Sequence, residues 1–343
     1  MKTKEEKRHI RILEIIDTRV LWIIGGLITM VLHFVLSVYP NFVEAYYSNG
    51  FFIGVRYFFD FTIGMIPFSL FYFLLMFVLG NVIYRIFMWI RLVFLVRVIP
   101  LKLKLKLLII TILSMASKIV IAFSFLWGFN YHRIPIEDKL GINVTEHTEP
   151  EILTEFHRNR KKAIALRMQI KFTKSNVPTL RDIPENLDEI VKDNLEEVLR
   201  EFGYDPVGNP AMRFIKPFGF LSSFGISGYY NPFLGEANMD RGFRPLYIPF
   251  LYAHELAHAY GFADEGTANF LAYMACEKSS NLFVKYSGRL IYLQYLAHHI
   301  KDVNIVWNPY IFEDLLMSGF FVYDPKYDRM INLILAYKRK YED

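Results

Sequence analysis

Three long apolar stretches do more than any other feature to limit how this chain can fold. Residues 20–39 and 61–84 carry no charge, and residues 107–130 carry only Lys118. The hydrocarbon core of a bilayer is about 30 Å thick and takes roughly 20 helical residues to cross. Inside it backbone N–H and C=O groups find no water, so an apolar run of that length pairs them internally as a helix. The chain is 53% hydrophobic and 17% aromatic with a mean hydropathy of +0.24, beyond the usual range of a soluble enzyme. The expected fold is a mainly α membrane protein: three transmembrane helices followed by an α+β extracytoplasmic domain. The first stretch is too long, and too poor in small residues at a cleavage site, to read as a secretory signal peptide.

Basic residues orient the spans. Lys2, Lys4, Lys7, Arg8, Arg11 and Arg19 precede the first, and Arg85, Arg91, Arg97, Lys102, Lys104 and Lys106 separate the second from the third. Between the first and second stands only Arg56. Cytoplasmic connections collect Lys and Arg. The expected topology is therefore a cytoplasmic basic tail over 1–19, a membrane domain over 20–130 and an extracytoplasmic domain over 131–343, in a multi-pass protein of the cytoplasmic (inner) membrane. Residues 86–106 read as a basic segment lying in the inner interface, with Arg91 and Arg97 snorkelling; a fourth span there would bury arginines in the bilayer. These flanks account for most of the net charge of +5, so the charge implies a lipid bilayer rather than nucleic acid as partner. Cys276 is the only cysteine and reads as a small buried side chain, and a domain of this size needs no disulfide to hold its core.

Beyond the third stretch, residues 150–171 begin acidic and continue basic, as suits a helix aligned with its dipole. Residues 184–202 place Leu187, Ile190, Val191, Leu195, Val198 and Leu199 at helical spacing. Residues 214–233, rich in Gly, Ser, Phe and Tyr, read as extended chain, either a ligand-free hairpin or a strand able to pair with an extended peptide. Residues 281–300 form a long helix ending in His298-His299. Asn143-Val144-Thr145 matches a glycosylation sequon that nothing else in the chain supports.

The chemistry concentrates at His254-Glu255-Leu256-Ala257-His258. On a helix, positions i and i+4 share a face, so two imidazoles can reach one Zn²⁺ at about 2.0–2.1 Å, with Glu255 placed to take a proton from water. A solvated His/Glu face is the bland alternative. The apolar run Tyr247-Ile248-Pro249-Phe250-Leu251-Tyr252-Ala253 argues against it, because burial makes unpartnered histidines costly. Gly261 can take the left-handed conformation that turns the chain back toward the pair. Two acids then compete as third ligand. Asp264 completes a His-Glu-x-x-His-x-x-Gly-x-x-Asp spacing like that of metzincins. Glu265 opens a further helical run and has Asn269 one turn on, as in the second zinc helix of gluzincin-type membrane proteases, where such a polar residue orients a histidine. Glu265 is the adopted ligand and Asp264 its rival; both also suit a helix N-terminus electrostatically. For the oxyanion, His298, His299, Tyr229, Tyr230 and Tyr260 are candidates, each with a packing or dipole explanation. Lys118 lies in mid-span, where an ionisable group needs a partner, and His33 on the first span is the one that sequence offers.

Together these segments resemble an uncharacterised bacterial membrane-protein family catalogued as domain of unknown function 3810. Its markers here are Tyr47-Ser48-Asn49-Gly50, Ile66-Pro67-Phe68-Ser69, Leu126-Trp127-Gly128-Phe129-Asn130-Tyr131, Gly228-Tyr229-Tyr230-Asn231-Pro232-Phe233 with Glu236-Ala237, and the His254–His258 motif leading to Glu265 and Ala268-Asn269-Phe270. Members commonly carry Glu-x-Glu-Ala-Asn-Phe at the last marker, so Glu265 matches the first acid and Thr267 replaces the second. By its motif the resemblance implies a zincin-like domain and a zinc-dependent membrane peptidase. The expectation is thus a zinc metallopeptidase with His254, His258 and Glu265 on Zn²⁺, Glu255 as general base, and a peptide or envelope-protein substrate. The rival is a non-catalytic envelope protein whose site is structural or degenerate and which binds a partner. A transporter centred on Lys118 is a third reading, weakened by the small number of spans.

Overall fold

The computed structural model describes residues 4–95, 99–173, 177–240, 242, 244–300, 308–318 and 326–342. Lys2 and Arg97 fall outside this set, as do the side chains of Lys4, Lys7, Arg8 and Arg11. The chain is mostly helical with one small sheet.

Among the described residues, three helices are long and apolar enough to cross a membrane: α1 (Lys4–Leu36) within Thr18–Leu36, then two more described below. After α1 the chain does not run into a loop. It makes a turn of helix at Pro40–Phe42, a π-type stretch over Val43–Phe51 and α2 (Phe52–Phe61). The second spanning helix, α3, is Phe71–Leu95 rather than residues 61–84. Apolarity alone merged three unlike pieces: α2 ends at Phe61, a 3₁₀ turn follows at Ile63–Met65, and Ile66 is extended with ψ 124°. That extension is what Pro67 requires of the residue before it.

The interfacial segment expected over 86–106 is corrected as well. Its first part continues α3 to Leu95, and its last part opens α4 (Leu101–Leu126), for which Pro100 is the N-cap. Lys104, read as an interfacial charge, is buried, and its Nζ donates to the Val93 carbonyl at 2.8 Å. The third span therefore starts near 101 and ends at Leu126, where a 3₁₀ turn at Gly128–His132 takes over.

Helices α1 and α4 lie side by side and run the same way. Arg19 meets Thr111 near one end, and His33 Nε2 meets Ser124 Oγ at 2.8 Å near the other. Between them Gly26 sits so close to Ser117 that an added Cβ would lie 2.6 Å from the serine. Small residues at such a crossing let backbones approach where the bilayer offers no hydrophobic drive. His33 is not the partner of Lys118. Its Nδ1 pairs with His132 Nε2 at 2.8 Å, while Lys118 Nζ stands 5.1 Å from the centre of the Trp22 ring, within cation–π range.

The remainder packs around one buried helix. α5 (Glu149–Arg167) opens with a Thr148/Glu151 capping box, and α6 is Leu187–Glu201. α7 (Ile248–Ala259) is buried along its whole length. α8 (Glu265–Lys278) is enclosed by α6, α7, α9 (Leu282–His298) and α11 (Lys326–Tyr341), with α10 at Pro309–Ser318 to one side. Gly288 of α9 allows the close approach of Cys276, whose Cβ would lie 2.5 Å from an added one; the thiol is buried, as its small size suggested.

Of the stretch read as extended, only β1 (Met212–Ile215) and β2 (Gly228–Asn231) are strands. β3 (Glu236–Asp240) lies between them, parallel to β1 and antiparallel to β2, and is buried throughout. Its Glu-Ala-Asn-Met-Asp sequence hid it, since alternating polar residues usually mark a solvated face. Here each polar side chain has a partner. Glu236 Oε1 accepts from Ser69 Oγ at 3.0 Å and the Leu70 N–H at 3.1 Å, Asn238 Oδ1 accepts from Ser69 Oγ at 2.6 Å, and Asp240 gathers the amides of Gly219, Ser222 and Gly242. The start of α3 is thereby fastened to the middle of the sheet.

Candidate metal centre

The end of α4 meets α7, and the segment that opens α3 meets the sheet. Trp127, just past α4, donates its Nε1–H to the His258 carbonyl at 2.9 Å. Arg133 donates to the Gly261 carbonyl at 3.1 Å while paired with Glu44 at 2.7 Å. Tyr47 donates to the carbonyls of Ser124 and Phe125, and Ser48 to Asn130 Oδ1. The short segments that carry the family resemblance are thus the ones that brace the motif helix against the membrane helices.

Within α7, His254 and His258 share a face, with Nε2 atoms 3.0 Å apart. The helix closes at Gly261, which has φ +85°, and whose N–H bonds back to His258 O at 3.0 Å. Glycine is required twice over at this position: a Cβ would strain the backbone and would lie 2.9 Å from Phe52. The turn delivers α8, so that Glu265 Oε2 lies 3.4 Å from His254 Nε2 and Glu265 Oε1 lies 3.7 Å from His258 Nε2. One ligand atom from each of the three lies within 4.8 Å of the others.

Asp264 goes elsewhere. It caps α8, accepting from the Thr267 N–H and hydroxyl at 2.7 Å each, and pairs with Arg329 at 2.7 Å. Burial would raise its pKa, but the Thr267 and Arg329 hydrogen bonds prevail and hold it below the usual carboxylate range. Thr267, where the resemblance led to the expectation of a second acid, therefore serves the cap and not the histidine pair.

Protonation follows from these contacts. His258 Nδ1 donates to the Phe262 carbonyl at 2.7 Å, which turns Nε2 toward His254 and Glu265. Burial would lower its pKa, but the hydrogen bond to Glu265, the nearby Glu255 and the Phe262 carbonyl outweigh it and hold it above the ordinary imidazole value, so Nε2 keeps a proton that a bound cation would displace. Hydrogen bonds from the two histidines hold Glu265 well below the usual carboxylate range, outweighing its burial. Burial keeps His254 below its ordinary value, and Asn269 stands beside it as the helical spacing suggested. Glu255 is 3% exposed, its Oε2 has no hydrogen-bond partner, and burial pushes its pKa up to about 8.

These groups line a cleft of about 400 Å³. One wall is aromatic, from Phe123, Trp127 and Tyr131 at successive turns leaving the membrane helix; the opposite wall is β2. Gly228 faces Glu255 so closely that a Cβ would lie 2.8 Å from Oε1. Tyr229 and Tyr230 line the cleft, but their hydroxyls are buried, that of Tyr229 near Asn231 and that of Tyr230 near Arg56. Tyr260 is committed to Glu196 at 2.7 Å, and His299 to Asp328 at 2.9 Å; neither residue, nor His298, lines it. Sequence reasoning missed the parts played by Trp127, Gly228 and Phe123. Only the presence of Trp127 and Gly228 in the marker segments hinted at them.

Fold and site define a membrane-associated, mainly helical protein in which two buried histidines and a half-exposed glutamate could hold a metal ion. The chain belongs to the family described as protein of unknown function (DUF3810), whose model matches residues 47–315. A search of curated proteins and a search of solved structures each find no match.

Proposed function

We propose that this protein is a membrane-anchored zinc metallopeptidase with a zincin-like site, its domain extracytoplasmic and its N-terminus in the cytoplasm. The observation that carries the reading is the convergence of His254, His258 and Glu265 beside the buried Glu255 carboxylate, all in one cleft. The donors fit Zn²⁺: two imidazoles and one ionised carboxylate, with the His258 ring oriented by its bond to Phe262 so that Nε2, once deprotonated, is aimed at the other two. Bound there, Zn²⁺ supplies Lewis acidity, lowering the pKa of a water toward about 7 and polarising a carbonyl.

The chain's own residues supply the rest. Glu255 takes the proton of the attacking water and returns it to the leaving amine. Its raised pKa matches that exchange near neutral pH. β2 is an edge strand on the cleft, so its free backbone groups suit an extended peptide. Basic residues gather at the end of the spanning helices away from the domain, which supports the stated orientation and an envelope or membrane-protein substrate. Glu255→Gln in purified full-length protein tests the reading. Zinc content should be unchanged and peptide hydrolysis should fall about a thousandfold; hydrolysis at the wild-type rate refutes it.

A further inference from the structure

The membrane helices hold a second polar feature, far from the histidine pair. A cavity of about 340 Å³ opens between α1, α3 and α4 and is lined by Arg19, Arg85 and Lys118 together with the hydroxyl-bearing Thr18, Thr111 and Ser114. Counting about 1.5 Å of rise per residue back from Leu126, it lies roughly 12–22 Å from the domain end of α4. That range spans the middle of α4, while Arg19, at the start of the first apolar segment, lies toward the end of the bundle away from the proposed active site.

Three cations in an apolar layer need negative charge nearby, because an uncompensated Lys or Arg there is costly. The three apolar segments, Thr18–Leu36, Phe71–Phe94 and Leu101–Leu126, contain no Asp or Glu. The neutral contacts found are partial: Arg19 donates to the Thr111 hydroxyl, and Lys118 stands over the Trp22 ring. Arg85 and Lys118 are exposed on the helix surfaces, where the bilayer would be. Hydroxyls among guanidinium and ammonium groups form a donor set suited to phosphate oxygens.

We infer that this cavity binds the phosphate-bearing head group of an anionic phospholipid, with Arg19 and Arg85 on the phosphate and Lys118 beside it. A lipid is favoured over a free phosphate because the cavity is walled by membrane helices and apolar chain surrounds it, a setting in which basic pockets between spans take acidic lipids. Occupancy would fix the part of α3 remote from its anchored start against the α1–α4 pair. The inference does not depend on the peptidase reading.

The test is native mass spectrometry of the full chain ejected from nanodiscs of phosphatidylglycerol mixed with phosphatidylcholine. Wild type should retain one phosphatidylglycerol. Arg85→Gln with Lys118→Gln should weaken retention about thirtyfold at about one decade and a half per charge pair, while Arg85→Lys should retain it. An unchanged unfolding temperature in detergent controls for folding. Asp17→Asn checks the nearest acid in sequence and should leave retention intact. Equal retention of phosphatidylcholine, retention by the double variant, or its loss in Asp17→Asn overturns the inference, as does displacement by millimolar inorganic phosphate.

Discussion

The indole N–H of Trp127 donates to the backbone carbonyl of His258 across 2.9 Å, tying the end of the third spanning helix to the helix that carries both histidines. The carbonyl lies in the last turn of α7, where it also accepts from the Gly261 N–H at 3.0 Å. Membrane anchor and candidate active site are therefore one mechanical unit.

Trp127→Phe keeps an aromatic wall but removes the donor. A lost buried hydrogen bond costs about 1 kcal/mol, so the domain's Tm should fall by about 2–4 °C. Differential scanning fluorimetry in detergent reads this directly, and a Tm equal to wild type would show that the contact contributes nothing.

Gly228→Ala places a methyl group where Glu255 Oε1 and the Asn238 carbonyl already stand, at 2.8 and 3.0 Å. The carboxylate has to move. Displacements near 1 Å can cost about a hundredfold in rate, so kcat for peptide cleavage should drop on that scale while bound zinc, measured by plasma mass spectrometry, stays constant. Loss of zinc instead would mean that Gly228 supports the ligands rather than the base.

Asp240 anchors the segment from Gly219 to Ser222 beside the cleft. Burial would raise its pKa, but the amides of Gly219, Ser222 and Gly242 outweigh it and hold the group low. A carboxylate with a depressed folded value adds stability that is fully present above its ordinary pKa of about 3.9 and is lost as pH falls through the folded value. The protection factors against hydrogen exchange at Phe220–Gly225, corrected for the intrinsic rate at each pH, should therefore be flat above about pH 5 and fall in acid. Asp240→Asn should show fast exchange at every pH; protection equal to wild type would remove the carboxylate from the account.

Much of this was legible from residue spacing. His254, His258 and Glu265 lie on two short helices separated by one glycine turn, so local periodicity and the αL preference of Gly261 sufficed to bring them together. The spans were legible by hydropathy, but their ends were not. Pro67 stops a helix inside an uninterrupted apolar run, and Lys104 finds the Val93 carbonyl in what reads as an interfacial segment. Strand β3 and the partner of His33 depend on long-range contacts, with Ser69 and His132, that no local pattern encodes. The same holds for Asp264, whose turn away from the histidines is decided by Arg329, 65 residues downstream.

The central claim is a metal held by two histidines and Glu265, and zinc stoichiometry tests it most directly. In purified full-length protein the account predicts about one zinc per chain for wild type and for Asp264→Ala, the latter losing only about 1 kcal/mol of helix cap. Glu265→Ala should fall far below one, since two imidazoles alone make an incomplete site. Wild-type protein that binds no zinc, or a reversal in which Asp264→Ala loses the metal and Glu265→Ala keeps it, would contradict the account.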